Sequence, residues 1–93
     1  MSVETLAETI RARVAESDFD SVIKFDCGDD GILVIDNQTV STADQEADCT
    51  VTVSLEDLAS IIAGETDPTS AYMQGMLTVD GDMAVAMKLN QIL

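Results

Sequence analysis

Apolar residues recur at helical spacing at the start of the chain. Val3, Leu6, Ala7, Ile10 and Val14 share one face, with Glu4, Glu8, Arg11 and Arg13 elsewhere. Ser2 stands where an N-cap is needed, so the spacing predicts an amphipathic helix over 3–15. From Phe19 to Cys27 the period changes to two. Phe19, Ile23, Phe25 and Cys27 alternate with Asp20, Lys24 and Asp26, the pattern of a half-buried strand. Asp29-Asp30-Gly31 is turn chemistry. Ile32-Leu33-Val34-Ile35 is apolar on both faces, which predicts a central place in a sheet. After Asp36-Asn37-Gln38, the weaker strand Thr39-Val40-Ser41-Thr42 completes an antiparallel meander.

The second half continues with a strand in which Cys49, Val51 and Val53 alternate with Thr50 and Thr52. Ser54-Leu55-Glu56-Asp57 opens a helix with Leu58, Ile61 and Ile62 inward, ended by Gly64. Asp67-Pro68 caps a short helix, Thr69 to Gln74, that stops at Gly75. The closing strand and helix meet at Gly81-Asp82, where Gly81 can take a positive φ and Asp82 can cap the next amides. On the last helix Val85, Leu89, Ile92 and Leu93 gather on one side. Met83 and Met87 lie roughly 140° away. A helix with two apolar faces needs two things to pack on, and the sheet is the first. The order helix, three strands, strand, two helices, strand, helix predicts an α+β fold: one domain over residues 1–93, with helices packed on one face of a five-stranded sheet.

Composition narrows the chemistry. Hydrophobic residues make up 46% and aromatics 3%, so the core is built from Val, Ile, Leu, Ala and Met. No apolar run approaches the roughly 20 residues needed to cross a bilayer, and Met1-Ser2-Val3-Glu4 has no signal-peptide character. The expectation is a cytoplasmic protein without stable membrane insertion. Eighteen acidic residues face Arg11, Arg13, Lys24 and Lys88, giving a net charge of −14. With no basic patch to neutralise phosphates, nucleic acid is not an expected partner. Self-repulsion on this scale opposes a compact state unless salt shortens the Debye length to about 3 Å, as near 1 M. This is the signature expected of halophilic adaptation in an acidic protein.

Catalytic patterns are missing from the sequence. There is no His, no Ser or Cys lies in a nucleophile motif, and two cysteines cannot complete a zinc site. Cys27 and Cys49 are expected as buried thiols. The carboxylate pairs Asp18/Asp20 and Asp80/Asp82 read as caps and turns. Asp26, Asp29 and Asp30 lack the spacing of a calcium loop. No enzyme activity, metal or cofactor is expected. Methionine stands out instead, with Met73, Met76, Met83 and Met87 within fifteen residues, beside Tyr72 and Leu77. Met is flexible and polarizable, suited to surfaces that take varied apolar partners. Together with the second apolar face of the last helix, this predicts an internal cavity for an apolar ligand. A pocket of about 300 Å³ held empty would cost roughly 7 kcal/mol, so the cavity is expected to hold lipid or to collapse without one.

Residues 48–93 resemble the sterol carrier protein-2 (SCP-2) lipid-binding domain family. The resemblance lies in Asp48-Cys49-Thr50-Val51-Thr52-Val53-Ser54 leading into Leu55-Glu56-Asp57-Leu58. It runs on through Gly64, Asp67-Pro68, Ala71, Gln74-Gly75, Leu77, Val79, Gly81-Asp82-Met83 and Ala86-Met87-Lys88-Leu89. It implies an SCP-2-like five-stranded sheet with a hydrophobic tunnel between sheet and helices. The implied activity is non-catalytic binding of sterols, fatty acyl chains or other lipids, with transfer between membranes as its further expectation; a salt-adapted host would favour an isoprenoid or acyl lipid over a sterol. Carried over by position, the tunnel falls on Leu58, Ile61, Ile62, Tyr72, Met73, Gln74, Met83, Met87 and Leu93. Gln74 is placed either to bond a lipid hydroxyl or carbonyl or to cap backbone near Gly75. Where family members often carry lysines on the penultimate strand, this chain has Met76, Thr78 and Asp80, so the positive surface expected to attract anionic membranes is gone. Asn90-Gln91-Ile92-Leu93 is not a peroxisomal address. The alternative function is an accessory module that presents a hydrophobic intermediate to a partner enzyme.

Overall fold

Helix α1 (Val3–Glu16) begins where the Ser2 hydroxyl accepts a hydrogen bond from the Thr5 amide. In the computed structural model, which describes residues 2–17 and 19–88, α1 buries the five predicted positions, Val3, Leu6, Ala7, Ile10 and Val14. Its basic residues are turned into stitches. Arg11 Nη2 donates to the Val40 carbonyl, and Arg13 Nη1 donates to the Ile62 carbonyl.

Five strands follow: β1 (Val22–Asp26), β2 (Ile32–Asp36), β3 (Thr39–Ser41), β4 (Cys49–Val53) and β5 (Leu77–Gly81). They form one sheet in the order β3-β2-β1-β4-β5. The meander β1-β2-β3 and the pair β4-β5 are antiparallel, while β1 and β4 run parallel. The middle position therefore belongs to β1 and not to β2. The apolar double face of β2 has another cause. Leu33 and Ile35 pair with Phe25 and Ile23 on the helix side, so Val34 faces the other way, opposite Lys24. There the 42–48 connection crosses: Asp44 pairs with Lys24 at 2.6 Å, and Gln45 Nε2 donates to Asp36 at 3.1 Å. Val34 is fully buried under it. A strand covered on both faces need not be the central one.

The other strand prediction to shift is the first. Phe19 is buried, but pairing starts only at Val22. The entry is fixed by Asp48, whose carboxylate accepts from the Val22 amide and whose own amide donates to the Val22 carbonyl.

Helices α2 (Leu55–Ile62), α3 (Pro68–Met73) and α4 (Met83–Met87) are capped as predicted by Ser54, Asp67 and Asp82. All three cap side chains accept an amide hydrogen bond from the first turn. The buried strand residues Ile23, Phe25, Leu33, Ile35, Cys49, Val51 and Val53 share one face by register. Against it α1 packs on β2, β3 and α2, while α3 packs on β5 and α4 on β4, β1 and β5.

Cys27 and Cys49 are both buried free thiols. Cys49 pairs with Ile23, four residues before Cys27 along β1, which separates the two by about 13 Å, beyond the reach of a disulfide. Burial, with the nearby Asp30 and Asp26 charges, pushes Cys27 up to about 11 from 9.0, and burial raises Cys49 as well. Both are expected to resist a thiol-specific reagent at pH 8 until the protein unfolds. A pKa raised on folding also means that the neutral thiol is the stabilised form. Its contribution is complete below about pH 9 and is lost progressively between pH 9 and pH 11. Rapid labelling of the native protein at pH 8 would contradict this.

Candidate functional site

The register of β4 and β5 sets Val51 beside Val79 and Val53 beside Leu77. Two short helices lie over this part of the sheet. Pro68, Thr69 and Tyr72 of α3, spaced three and four apart, share one helical face. Met83, Ala86 and Met87 of α4 repeat the same spacing. Between the two helices and the floor of Val51, Leu77 and Val79 lies a cavity of about 200 Å³. Among the described residues Thr69 and Tyr72 are its polar members, and none that lines it is charged.

Gly81 and Asp82 put α4 in place. Gly81 has φ +121, and a Cβ there would meet the Asp48 carbonyl oxygen at 2.6 Å. The Asp82 amide donates to that same carbonyl at 3.0 Å, and its carboxylate caps Ala84. Val85 then turns to the sheet and is buried. At the far end of α4, Lys88 Nζ reaches Asp20 at 2.8 Å and the Ser21 hydroxyl at 3.3 Å. Lys88 holds the Asp20 carboxyl below its ordinary range, chiefly through that hydrogen bond, and Lys24 does the same to Asp44. All four side-chain cations of the sequence are thus bonded within the chain: Arg11, Arg13, Lys24 and Lys88.

Of the residues predicted for the tunnel, the structure brings Tyr72, Met83 and Met87 together on the cavity wall. They are 46%, 45% and 65% exposed, so the wall reaches solvent. Leu58, Ile61 and Ile62 do not line it. They are the buried face of α2, packed in the core, because α2 lies beside α1. Met73 and Gln74 are exposed at the end of α3 and lie off the wall. The Gln74 amide donates to the Ser70 carbonyl as the helix C-cap. Leu93 lies outside the described residues, as do Leu89 and Ile92 of the predicted sheet-facing stripe.

Sequence reasoning missed Val51, Pro68, Thr69, Leu77, Val79 and Ala86 as wall residues. A signal existed for several of them. The inward alternation of β4 marks Val51, and the three- and four-residue steps from Tyr72 and Met83 mark Pro68, Thr69 and Ala86. A second hollow, about 370 Å³, lies at the C-terminal end of β4, shares Leu77 with the first and includes Asp26, Cys27, Thr52, Ser54 and Thr78. It is shallow and mixed in polarity, which suits an apolar ligand less well.

The family model described as the SCP-2 sterol transfer family matches residues 2–93. The chain belongs to that family. Sterol carrier protein 2 of Oryctolagus cuniculus is 42% identical over 50 residues, which are 54% of this chain and 9% of that protein. The chain therefore matches less than a tenth of the length of this curated relative. Two solved structures extend the likeness over the whole fold. The crystal structure of sterol carrier protein 2 like 2 from Aedes aegypti superposes with a TM-score of 0.82 at 28% identity, covering 100% of this chain and 97% of the other. The solution structure of palmitated SCP2L2 from the same organism gives 0.78 at 30% identity, covering 99% and 94%. The α+β architecture with a five-stranded mixed sheet is the one these SCP-2 structures share.

Proposed function

We propose that this chain binds apolar lipids non-covalently between α3, α4 and the β4-β5 pair, and carries them between membranes. One observation bears most of the weight: an uncharged, solvent-reaching cavity walled by flexible Met83 and Met87. Open to water, it leaves the apolar side chains of its wall hydrated, at a cost of roughly 25 cal/mol per Å² of apolar surface. A bound hydrocarbon segment removes that cost. Membership of a lipid-transfer family supports the reading, and the palmitated relative at 30% identity supports an acyl chain as one form of cargo.

A second reading rests on Met73, 80% exposed just beyond the wall. In it the same face docks on a partner enzyme and hands over a hydrophobic intermediate. Transfer between vesicles without any added protein favours the first reading. A stable complex that is needed for release favours the second.

The decisive test is extraction of the purified protein with organic solvent, followed by mass analysis. The expected result is lipid from the wild type and about tenfold less from Met83→Asp. Met83 is the first residue of α4 and is half exposed, so an acid is tolerated there and complements the helix dipole. A carboxylate against bound hydrocarbon is not tolerated. Wild-type protein free of lipid, and unable to take up an uncharged dye such as Nile red, would overturn the proposal.

A further inference from the structure

The geometry points to a discrimination by head group: the site takes the tail of a single-chain lipid whose head is uncharged, and discriminates against the free carboxylate of the same chain length. This rests on the proposed lipid binding and narrows it to a ligand class.

Size comes first. A cavity of about 200 Å³ exceeds the roughly 150 Å³ that accepts a benzene ring, and falls short of the roughly 300 Å³ at which whole drug-sized ligands are enclosed. It holds a segment of hydrocarbon, and the rest of the molecule, head included, stays at the mouth. The lining offers an anionic head no cation to bind, since no charged side chain belongs to it.

The mouth offers none either. Asp67 and Asp82 are exposed and directly precede the wall residues Pro68 and Met83, so each lies one Cα step, about 3.8 Å, from the wall. Lys88 follows Met87, but its ammonium is held by Asp20 and Ser21. The other three cations are bonded to Val40, Ile62 and Asp44, on α1 and on the far side of the sheet. Leu89–Leu93 adds no charged side chain, and the whole chain carries −14. The helix N-termini at this mouth do not offset that, because the first-turn amides of Ser70 and Ala84 are already bonded to the Asp67 and Asp82 carboxylates, and a carboxylate head is brought against like charge. An alcohol or ester head loses nothing by staying in water at the rim. At the effective dielectric of a protein surface, two acids within about 8 Å cost a bound anion on the order of a tenfold weakening after screening at 0.15 M salt.

The measurement is displacement of Nile red from delipidated protein at pH 8, using dodecanoate, methyl dodecanoate and dodecan-1-ol. The salt concentration is one at which circular dichroism shows the native fold. Methyl dodecanoate and dodecan-1-ol are expected to displace the dye about tenfold more effectively than dodecanoate. The gap is expected to narrow as KCl is raised further, because the repulsion is screened. Dodecanoate equal to or better than its methyl ester would overturn the inference while leaving lipid binding intact. Failure of all three, and of the dye itself, would instead remove the underlying proposal.

Discussion

Gly81→Ala is expected to lower the unfolding free energy by about 3 kcal/mol and the melting temperature by roughly 15 °C. Two costs combine at this position. The backbone sits at φ +121, a conformation that L side chains rarely adopt, and the new Cβ would lie 2.6 Å from the Asp48 carbonyl oxygen and 3.0 Å from the Cys49 Cα. Neither atom can move without disturbing the Val22, Asp48 and Asp82 backbone bonds that join β1, β4 and α4. Gly64→Ala separates the two costs. Gly64 also has positive φ, at +82, but nothing lies within reach of a Cβ there. About 1 kcal/mol is expected for it, from the left-handed backbone alone. Equal losses for the two variants, read by thermal denaturation, would show that the contact with Asp48 carries no weight.

Raising KCl from 0.1 M to 2 M is expected to raise the melting temperature by at least about 10 °C, equivalent to roughly 2 kcal/mol for a chain of this size. Two electrostatic effects oppose each other. Salt weakens the Lys24–Asp44 and Lys88–Asp20 pairs, but their carboxylates are exposed, and exposed pairs contribute little. Salt also screens the mutual repulsion behind a charge of −14, which acts over the whole surface. The second effect is the larger, so the net slope is upward. A melting temperature that stays flat or falls would remove halophilic adaptation as the explanation of the acidic composition.

The elements were readable because local chemistry decides them. Ser2, Ser54, Asp67 and Asp82 each sit one residue before a helix, and each accepts the amide bond that a cap requires. The alternation of Cys49, Val51 and Val53 carries directly into β4. The position of β2 was not readable, because burial of Val34 comes from a crossover segment, 42–48, with no periodicity of its own. The cavity was readable in part. Helical spacing and methionine chemistry pointed to Met83 and Met87, while Leu58, Ile61 and Ile62 have the same apolar signature whether they face a ligand or α1. Which inward residues meet a cavity and which meet another helix is fixed by where the helices land across the sheet. A one-dimensional pattern does not record that.

The parallel pairing of β1 with β4 has one more consequence. It joins two neighbourhoods of unequal duty along a single seam. On the α1 side, large side chains interlock and two arginines stitch the helix down, and no described residue there lines the cavity. On the other side, β5 has β4 as its one strand neighbour among the described residues, and the helices above it are six and five residues long. On the proposed lipid-binding reading, loading and unloading a guest is absorbed by the outer margin, while the α1 side behaves as ballast. On that same reading, sequence drift in α1 and the meander leaves cargo choice untouched, and an exchange between relatives spliced just before Asp48 carries every described wall residue with it.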